Sequence, residues 1–399
     1  MEDFRYCVST NYIFGQGQSK KTANVLLEYG YKKVLVVYGQ KSAVSSGLLP
    51  NIEKQLQSKN IEYITLGGVV PNPRADLVYD GIELCKKEGV DFILAVGGGS
   101  VIDTAKAIGL GAKDDGDFFD FYLKKRKPVD SVKVGCVLTI AAAGSESSTS
   151  SVIQKEIDGK IVKNGCSTPL NRPLFAILDP ELTYSLSAYQ TACGVTDMMA
   201  HILERYFTNS KGVIVTDRIC EGLLLSIIEN AQIALANPNN YEARANLMWA
   251  GALAHNNLCG VDREQDWASH HLEHQLSALY DVAHGAGLAV IFPAWMDYVY
   301  KHDLSRFAQF AVRVFHVDMD YNDLAYTSRQ GIKAFRSFLK KIGMPLSFKD
   351  IGAKKNDIEI LVKMLGVDDD SHTEGKFIPL YREDCLKVYE IANDYVFQE

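Results

Sequence analysis

Four short apolar runs, rich in β-branched residues and spaced by helix-length stretches, restrict what the first half of this chain can become. They are Lys33–Tyr38, Phe92–Val96, Val134–Ile140 and Leu174–Leu178. A strand that is apolar at consecutive positions must be covered on both faces, as in a parallel sheet flanked by helices. Leu77 to Glu88 and Val101 to Gly109 read as two of those helices. Strand, helix, strand in succession implies a mostly parallel sheet with right-handed crossovers. After about residue 185 the texture changes: 196–207, 218–236, 241–255, 267–279 and 288–300 read as helices. The expectation is therefore a Rossmann-like α/β domain over residues 1–184 and an all-helical domain over 185–399. The boundary falls near Leu182–Leu186, and a cleft between two such halves is where ligands usually bind.

Composition removes several classes of function. The 42 basic against 49 acidic side chains leave a net charge of −7. That argues against a nucleic-acid partner, which needs a basic face. Eight scattered cysteines without a C-x-x-C pair read as reduced thiols in a cytoplasmic protein. No basic region followed by an apolar run opens the chain, and no apolar stretch reads as membrane-spanning, so no membrane partner is expected.

Leu94 through Lys106 reads as strand, three glycines, serine, helix. Gly97, Gly98 and Gly99 let the backbone approach a ligand. The helix N-terminus that follows offers N–H groups and partial positive charge to a pyrophosphate. The competing reading is a tight turn with Ser100 as helix cap. The run is neither a Walker A loop nor G-x-G-x-x-G. A second loop, Tyr38 to Ser42, sits where such a sheet faces the adenosine ribose. Gly39 stands where an acid would bind a free 2′-hydroxyl, and Lys41 and Ser42 suit a 2′-phosphate, so the loop leans toward NADP over NAD. A plain surface loop is the alternative there.

Four of nine histidines fall within fifteen residues: His270, His271, His274 and His284. Asp197 and His201 stand at i, i+4 on a predicted helix and can share one ion. Alone, that pair reads better as part of an ordinary solvated stripe with Glu204 and Arg205. The second cluster changes the balance. His270 and His274 share a helix face, with Asp266 as the expected cap. In one unbroken helix His284 would lie about 21 Å from His270, at ~1.5 Å per residue. A single-metal site thus demands a break, for which Tyr280-Asp281 before His284-Gly285-Ala286-Gly287 is suited. The small residues would let an ion or cofactor come close. One carboxylate and three imidazoles suit Fe²⁺ or Zn²⁺. His274, left beside the metal, can relay a proton.

Gly97 through Lys106, Gly194 through His201, and Trp267 through Gly287 together resemble the iron-containing (group III) alcohol dehydrogenase family, in its branch of NAD(P)-dependent butanol dehydrogenases and aldehyde reductases. The resemblance spans nearly the whole chain. It implies a dehydroquinate synthase-like fold, a homodimer, and reversible oxidation of a primary alcohol such as butanol to its aldehyde. The implied metal ligands are Asp197, His201, His270 and His284, with His274 as the implied catalytic histidine near the nicotinamide. Implied cofactor contacts are Gly98, Gly99, Ser100 and Asp103 at the diphosphate, Thr139, and Lys160 near the nicotinamide ribose. Ala143 departs from a threonine common in the family, so that one hydroxyl contact is missing or is supplied by Ser147 or Ser148. Glycerol- or polyol-type dehydrogenases of the same fold are the main alternative. A dehydroquinate synthase-like lyase is disfavoured, because no cluster of basic residues flanks the metal motifs. Trp267 and Phe292 are read as pocket-lining or core. Asp368 to Lys376 is expected to be a solvated loop, with His372 not a ligand.

Overall fold

The computed structural model describes residues 3–367 and 372–397, and the chain divides into two compact units. The first comprises residues 7–186 with 238–256, and the second 1–6, 187–237 and 257–399.

The first unit holds a six-stranded sheet and a hairpin. In chain order the strands are β1 (Asn11–Phe14), β2 (Lys33–Gly39), β3 (Glu62–Val69), β4 (Phe92–Gly97), β5 (Lys133–Leu138), β6 (Ser150–Ile157), β7 (Lys160–Ser167) and β8 (Phe175–Leu178). The sheet order is β1-β8-β5-β4-β2-β3, with every pairing parallel. The four runs named above became β2, β4, β5 and β8; β1 and β3, less continuously apolar, completed the sheet. Helices α1 (Thr22–Glu28), α2 (Ser42–Ser45), α3 (Leu48–Ser58), α4 (Ala75–Glu88), α5 (Gly99–Ala112) and α6 (Phe119–Tyr122) lie between strands.

Strand pleating splits each apolar run between two cores. Leu35, Val37, Ile93, Ala95 and Cys136 face Val78 of α4 and Ile102, Ala105 and Ile108 of α5. Val34, Val36, Phe92, Leu94 and Phe175 face Leu26 of α1 and Ile52 and Leu56 of α3. This is why the strands carry no polar alternation. Helix α9 (Tyr241–His255) also belongs here, contributing Met248 and Ala252 to the first core. Residues 238–256, expected with the helical half, thus pack with the sheet.

β6 and β7 form an antiparallel hairpin closed at Asp158-Gly159, both in the left-handed region. That pair matches the type I′ turn that D-G favours.

The second unit is helical among its described residues: α7 (Ala188–Tyr206), α8 (Ile214–Ala236), α10 (Ala268–Tyr280), α11 (His284–Val299), α12 (Leu304–Phe315), α13 (Leu324–Lys341), α14 (Phe348–Ile351), α15 (Ile358–Leu365) and α16 (Arg382–Asp394), with short 3₁₀ turns. The expectation that no apolar stretch reaches spanning length is corrected by α8, whose 23 residues are long and apolar enough. A third of its apolar window is nevertheless buried, and its Asp217 pairs with Arg263 and Arg306.

Candidate active site

In the sheet unit the strand order reverses between β2 and β4, which pair side by side through Tyr38 and Val96. Open parallel sheets bind ligands at the carboxyl ends of strands at such a switch point. The loops after these two strands carry Gly39, Lys41 and Ser42 on one side and Gly97 to Ser100 on the other. Lys41 and Ser42 are exposed. Thr139 joins them, its N–H donating to the Gly97 carbonyl at 3.1 Å.

Helix α5 starts at Gly99 with Gly98 as N-cap, so Ser100 lies inside the helix and does not cap it, contrary to the turn reading. The glycines have packing reasons of their own. A Cβ on Gly97 would stand 2.5 Å from Val101, on Gly98 2.2 Å from Ile140, and on Gly99 3.1 Å from Ala143. The segment after β5 therefore lies directly on the glycine loop.

Beneath that loop is a buried polar network. Asp103 accepts from Ser145 Oγ at 2.5 Å and from the Val152 N–H at 2.9 Å, which turns its carboxylate toward the supporting loop. Lys106, fully buried, donates to Ser145 Oγ, the Ser150 carbonyl and Ser148 Oγ. Burial pulls its ammonium down to about 8, against the opposing pull of Asp103. Burial likewise pushes the Glu146 carboxyl up to about 7. Ser147 donates to the Ala252 carbonyl and Ser148 to that of Ser150, so both hydroxyls named as replacements at Ala143 are engaged inside the protein.

Lys160 opens β7 at the exposed hairpin turn. Three residues on, Lys163 is buried and donates to Asn72 Oδ1 at 2.9 Å, just past the carboxyl end of β3. The Asp158-Gly159 dipeptide signals this hairpin in the sequence, and β-alternation from it distinguishes the two lysines.

In the helical unit, α7 starts from a Ser187–Gln190 capping box and carries Asp197 and His201 one turn apart. His201 Nδ1 lies 3.3 Å from Asp197 Oδ1. The solvated-stripe alternative fails: Asp197, His201, Glu204 and Arg205 are all buried. The demanded break is present. α10 ends at Tyr280, Asp281 takes the left-handed conformation at φ 51°, and α11 begins at His284. His284 is thereby returned toward His270, with ring centroids 5.4 Å apart, and its Nε2 lies 3.7 Å from Asp197 Oδ1. Ligand atoms of Asp197, His201 and His270 lie within 4.8 Å of one another. The structure thus brings all four together. His274 stands beside them, its centroid 5.5 Å from that of His284.

Two buried carboxylates hold the outer imidazoles, and neither was singled out from the sequence as an acceptor. Glu204 Oε1 accepts from His270 Nδ1 at 2.8 Å and from its backbone N–H at 3.0 Å, while Oε2 accepts from the Trp267 N–H. Glu273 Oε2 accepts from His284 Nδ1. Glu204 was visible only as the next acidic position on the Asp197–His201 face. Its bonds explain how α10 starts after Trp267, the N-cap residue, which sits at φ 74° and whose side chain makes no capping bond. Asp266, the expected cap, accepts from the Ala268 N–H but also ties down the Lys376 and Phe377 N–H groups. Burial beside Glu204 pushes its carboxyl up to about 7.

The donor set fits a divalent transition metal. With Nδ1 donating to Glu204, the buried Nε2 of His270 has no hydrogen-bond partner among the described residues, which suits a lone pair that receives an ion. The glycines after His284 serve protein neighbours: a Cβ on Gly285 would meet the Cys193 carbonyl at 2.1 Å, and on Gly287 the Glu273 carboxylate at 2.5 Å. Trp267 is half-buried against the His201 and His270 rings, whereas Phe292 packs in the core on Trp295 and Phe335. His372 bonds Glu374, and Asp368 to Ser371 lie outside the described residues.

Family models for the iron-containing alcohol dehydrogenases match residues 9–180, and for their C-terminal part residues 191–393. The chain belongs to the iron-containing alcohol dehydrogenase family. Among other members, a probable NADH-dependent butanol dehydrogenase of Bacillus subtilis is 38% identical, covering 98% of this chain and 100% of that one. An NADPH-dependent aldehyde reductase of Escherichia coli is 34% identical over 92% of this chain and 93% of its own. The crystal structure of an NADH-dependent butanol dehydrogenase A from Thermotoga maritima superposes with a TM-score of 0.94 at 37% identity, covering 99% of each chain. The parallel-sheet domain followed by a helical domain is the fold of this alcohol dehydrogenase family.

Proposed function

We propose that this chain catalyses reversible hydride transfer between NAD(P)(H) and a primary alcohol or aldehyde, with butanol and butanal as the representative pair. The observation that carries the reading is the convergence of Asp197, His201, His270 and His284, with two of the imidazoles oriented by buried carboxylates. Relatives named as NADH-dependent butanol dehydrogenase and NADPH-dependent aldehyde reductase support it.

The four side chains would hold one Fe²⁺ or Zn²⁺. When bound, the ion would supply a Lewis acid for the substrate oxygen and the nicotinamide the hydride donor or acceptor. Glu204 holds the proton on His270 Nδ1 and Glu273 that on His284 Nδ1, so each Nε2 keeps its lone pair. His274 takes the hydroxyl proton in oxidation and returns it in reduction. Trp267 closes one side of the histidine cluster and limits water there. Gly39, Lys41, Ser42, Gly97 to Ser100 and Thr139 line the cofactor side, on the cradle that Asp103 and Lys106 support. Lys163, rather than Lys160, is the hairpin ammonium placed at the carboxyl edge of the sheet.

The lack of an acid at Gly39, with Lys41 nearby, favours NADP over NAD. We also read the protein as a cytoplasmic homodimer. Its eight free cysteines support the reducing compartment.

Metal analysis of the purified protein, with initial rates for NADH and NADPH on a panel of aldehydes, tests this reading. One tightly held metal per chain and turnover of butanal are expected. Faster oxidation of glycerol than reduction of butanal would replace it with the polyol dehydrogenase alternative.

A further inference from the structure

Glu273 is a fully buried carboxylate on α10, in the turn that also carries His270 and His274. We propose that Glu273 is a positioning residue that sets both the orientation and the tautomer of His284 for metal ligation. This rests on the metal site proposed above.

Three observations carry it. The His284 Nδ1–H donates to Glu273 Oε2 across the α10–α11 turn. The other nitrogen of the same ring, Nε2, lies 3.7 Å from Asp197 Oδ1. The two nitrogens therefore face two different carboxylates, one supporting and one within the ligand set, and with the proton on Nδ1 it is Nε2 that would ligate an ion. Finally, the start of α11 is shaped around Glu273. All three atoms that a Cβ on Gly287 would meet belong to Glu273, with Oε1 at 2.5 Å. A side chain at residue 287 would displace the carboxylate that holds the histidine three residues earlier.

Ligand atoms of Glu273, His274 and His284 also lie within 4.8 Å of one another. The rival is thus that Glu273 ligates an ion itself. The bond from His284 Nδ1 engages Oε2, and Oε1 lies against Gly287, which favours support over ligation.

Zinc-loaded protein is challenged with a chromogenic chelator, and zinc affinity and release are compared for the parent, Glu273→Gln, Glu273→Ala, Gly287→Ala and His284→Ala. The amide oxygen of Glu273→Gln still accepts the Nδ1–H without charge, so affinity falls about tenfold, and in Glu273→Ala about a hundredfold. Gly287→Ala keeps the carboxylate, displaces it and favours the helix, so it weakens zinc binding with no loss of helicity in the metal-free form. It carries the test if Glu273→Ala does not fold. Zinc bound as tightly in folded Glu273→Ala and Gly287→Ala as in the parent overturns the proposal. Complete loss in Glu273→Gln, equal to that in His284→Ala, overturns it in favour of direct ligation. A parent that holds no zinc, or His284→Ala that holds it equally well, shows instead that the metal-site reading has failed.

Discussion

Glu204 on α7 binds His270 of α10 twice, at the backbone N–H (3.0 Å) and at Nδ1 (2.8 Å), across 66 residues of sequence. One carboxylate thus starts a helix and fixes a ring tautomer. Replacing it with alanine leaves buried donors on Trp267 and His270 without acceptors. Glu204→Ala is expected to destabilise the metal-free protein by about 2–4 kcal/mol, read by denaturant unfolding, and to weaken metal binding about 10- to 100-fold. Unchanged unfolding would show that water replaces the carboxylate.

His270→Ala removes the nitrogen whose other side Glu204 holds. Metal content and turnover should be lost together, as measured by metal analysis and aldehyde-dependent oxidation of NAD(P)H. Full activity of that variant in the presence of a chelator would end the assignment.

The glycine loop can be tested by packing. Gly98→Ala places a methyl 2.2 Å from Ile140 Cγ2 and is expected to destabilise by about 1–3 kcal/mol and weaken NAD(P)H binding. The added change Ile140→Ala makes room for the new methyl, and cofactor affinity should recover. If the double variant binds no better than the single one, the glycine serves the ligand and not Ile140.

Cofactor preference turns on two loop positions. A Cβ on Gly39 meets only the Val69 carbonyl at 3.7 Å and Val101 at 4.0 Å, so Gly39→Asp leaves the fold intact. The new carboxylate opposes a 2′-phosphate and can bond a 2′-hydroxyl. KM for NADPH should rise and that for NADH fall. Lys41→Ala should raise KM for NADPH alone, by about two- to fivefold for an exposed charge.

Glu146 makes stability depend on pH. Burial raises its carboxyl from 4.5 to about 7 in the folded protein. Between those values the folded state keeps a proton that the unfolded state has released, so this contribution is present below 4.5 and is lost as pH rises toward 7. The full loss is up to about 3 kcal/mol. Glu146→Gln should flatten the stability profile from pH 4.5 to 7 in denaturant titrations; an unchanged slope would place the titration elsewhere.

Local pattern was enough for the strands β2, β4, β5 and β8, for the helices that bear the histidines, and for the break before His284. Apolar periodicity acts over a few residues, and the distance argument needs only the helix rise. The same spacing and donor types group Asp197, His201, His270 and His284 as one candidate set. They do not reveal the acceptors for the rings, because Glu204 and Glu273 look like ordinary acidic positions until α7, α10 and α11 are packed. The family resemblance implies a cofactor-contacting lysine at Lys160; the β6–β7 hairpin leaves that side chain exposed at its turn and, by strand alternation, buries Lys163 against Asn72.

The chain alone therefore indicated the central strands, the histidine-bearing helices and a candidate ligand set, since these follow from short-range spacing and donor type. Only the tertiary structure decided which buried carboxylate holds which imidazole, why the loop glycines are small, and that residues 238–256 pack on the sheet. Each of those depends on contacts between segments far apart in sequence, where a partner is chosen by the space and charge left after packing.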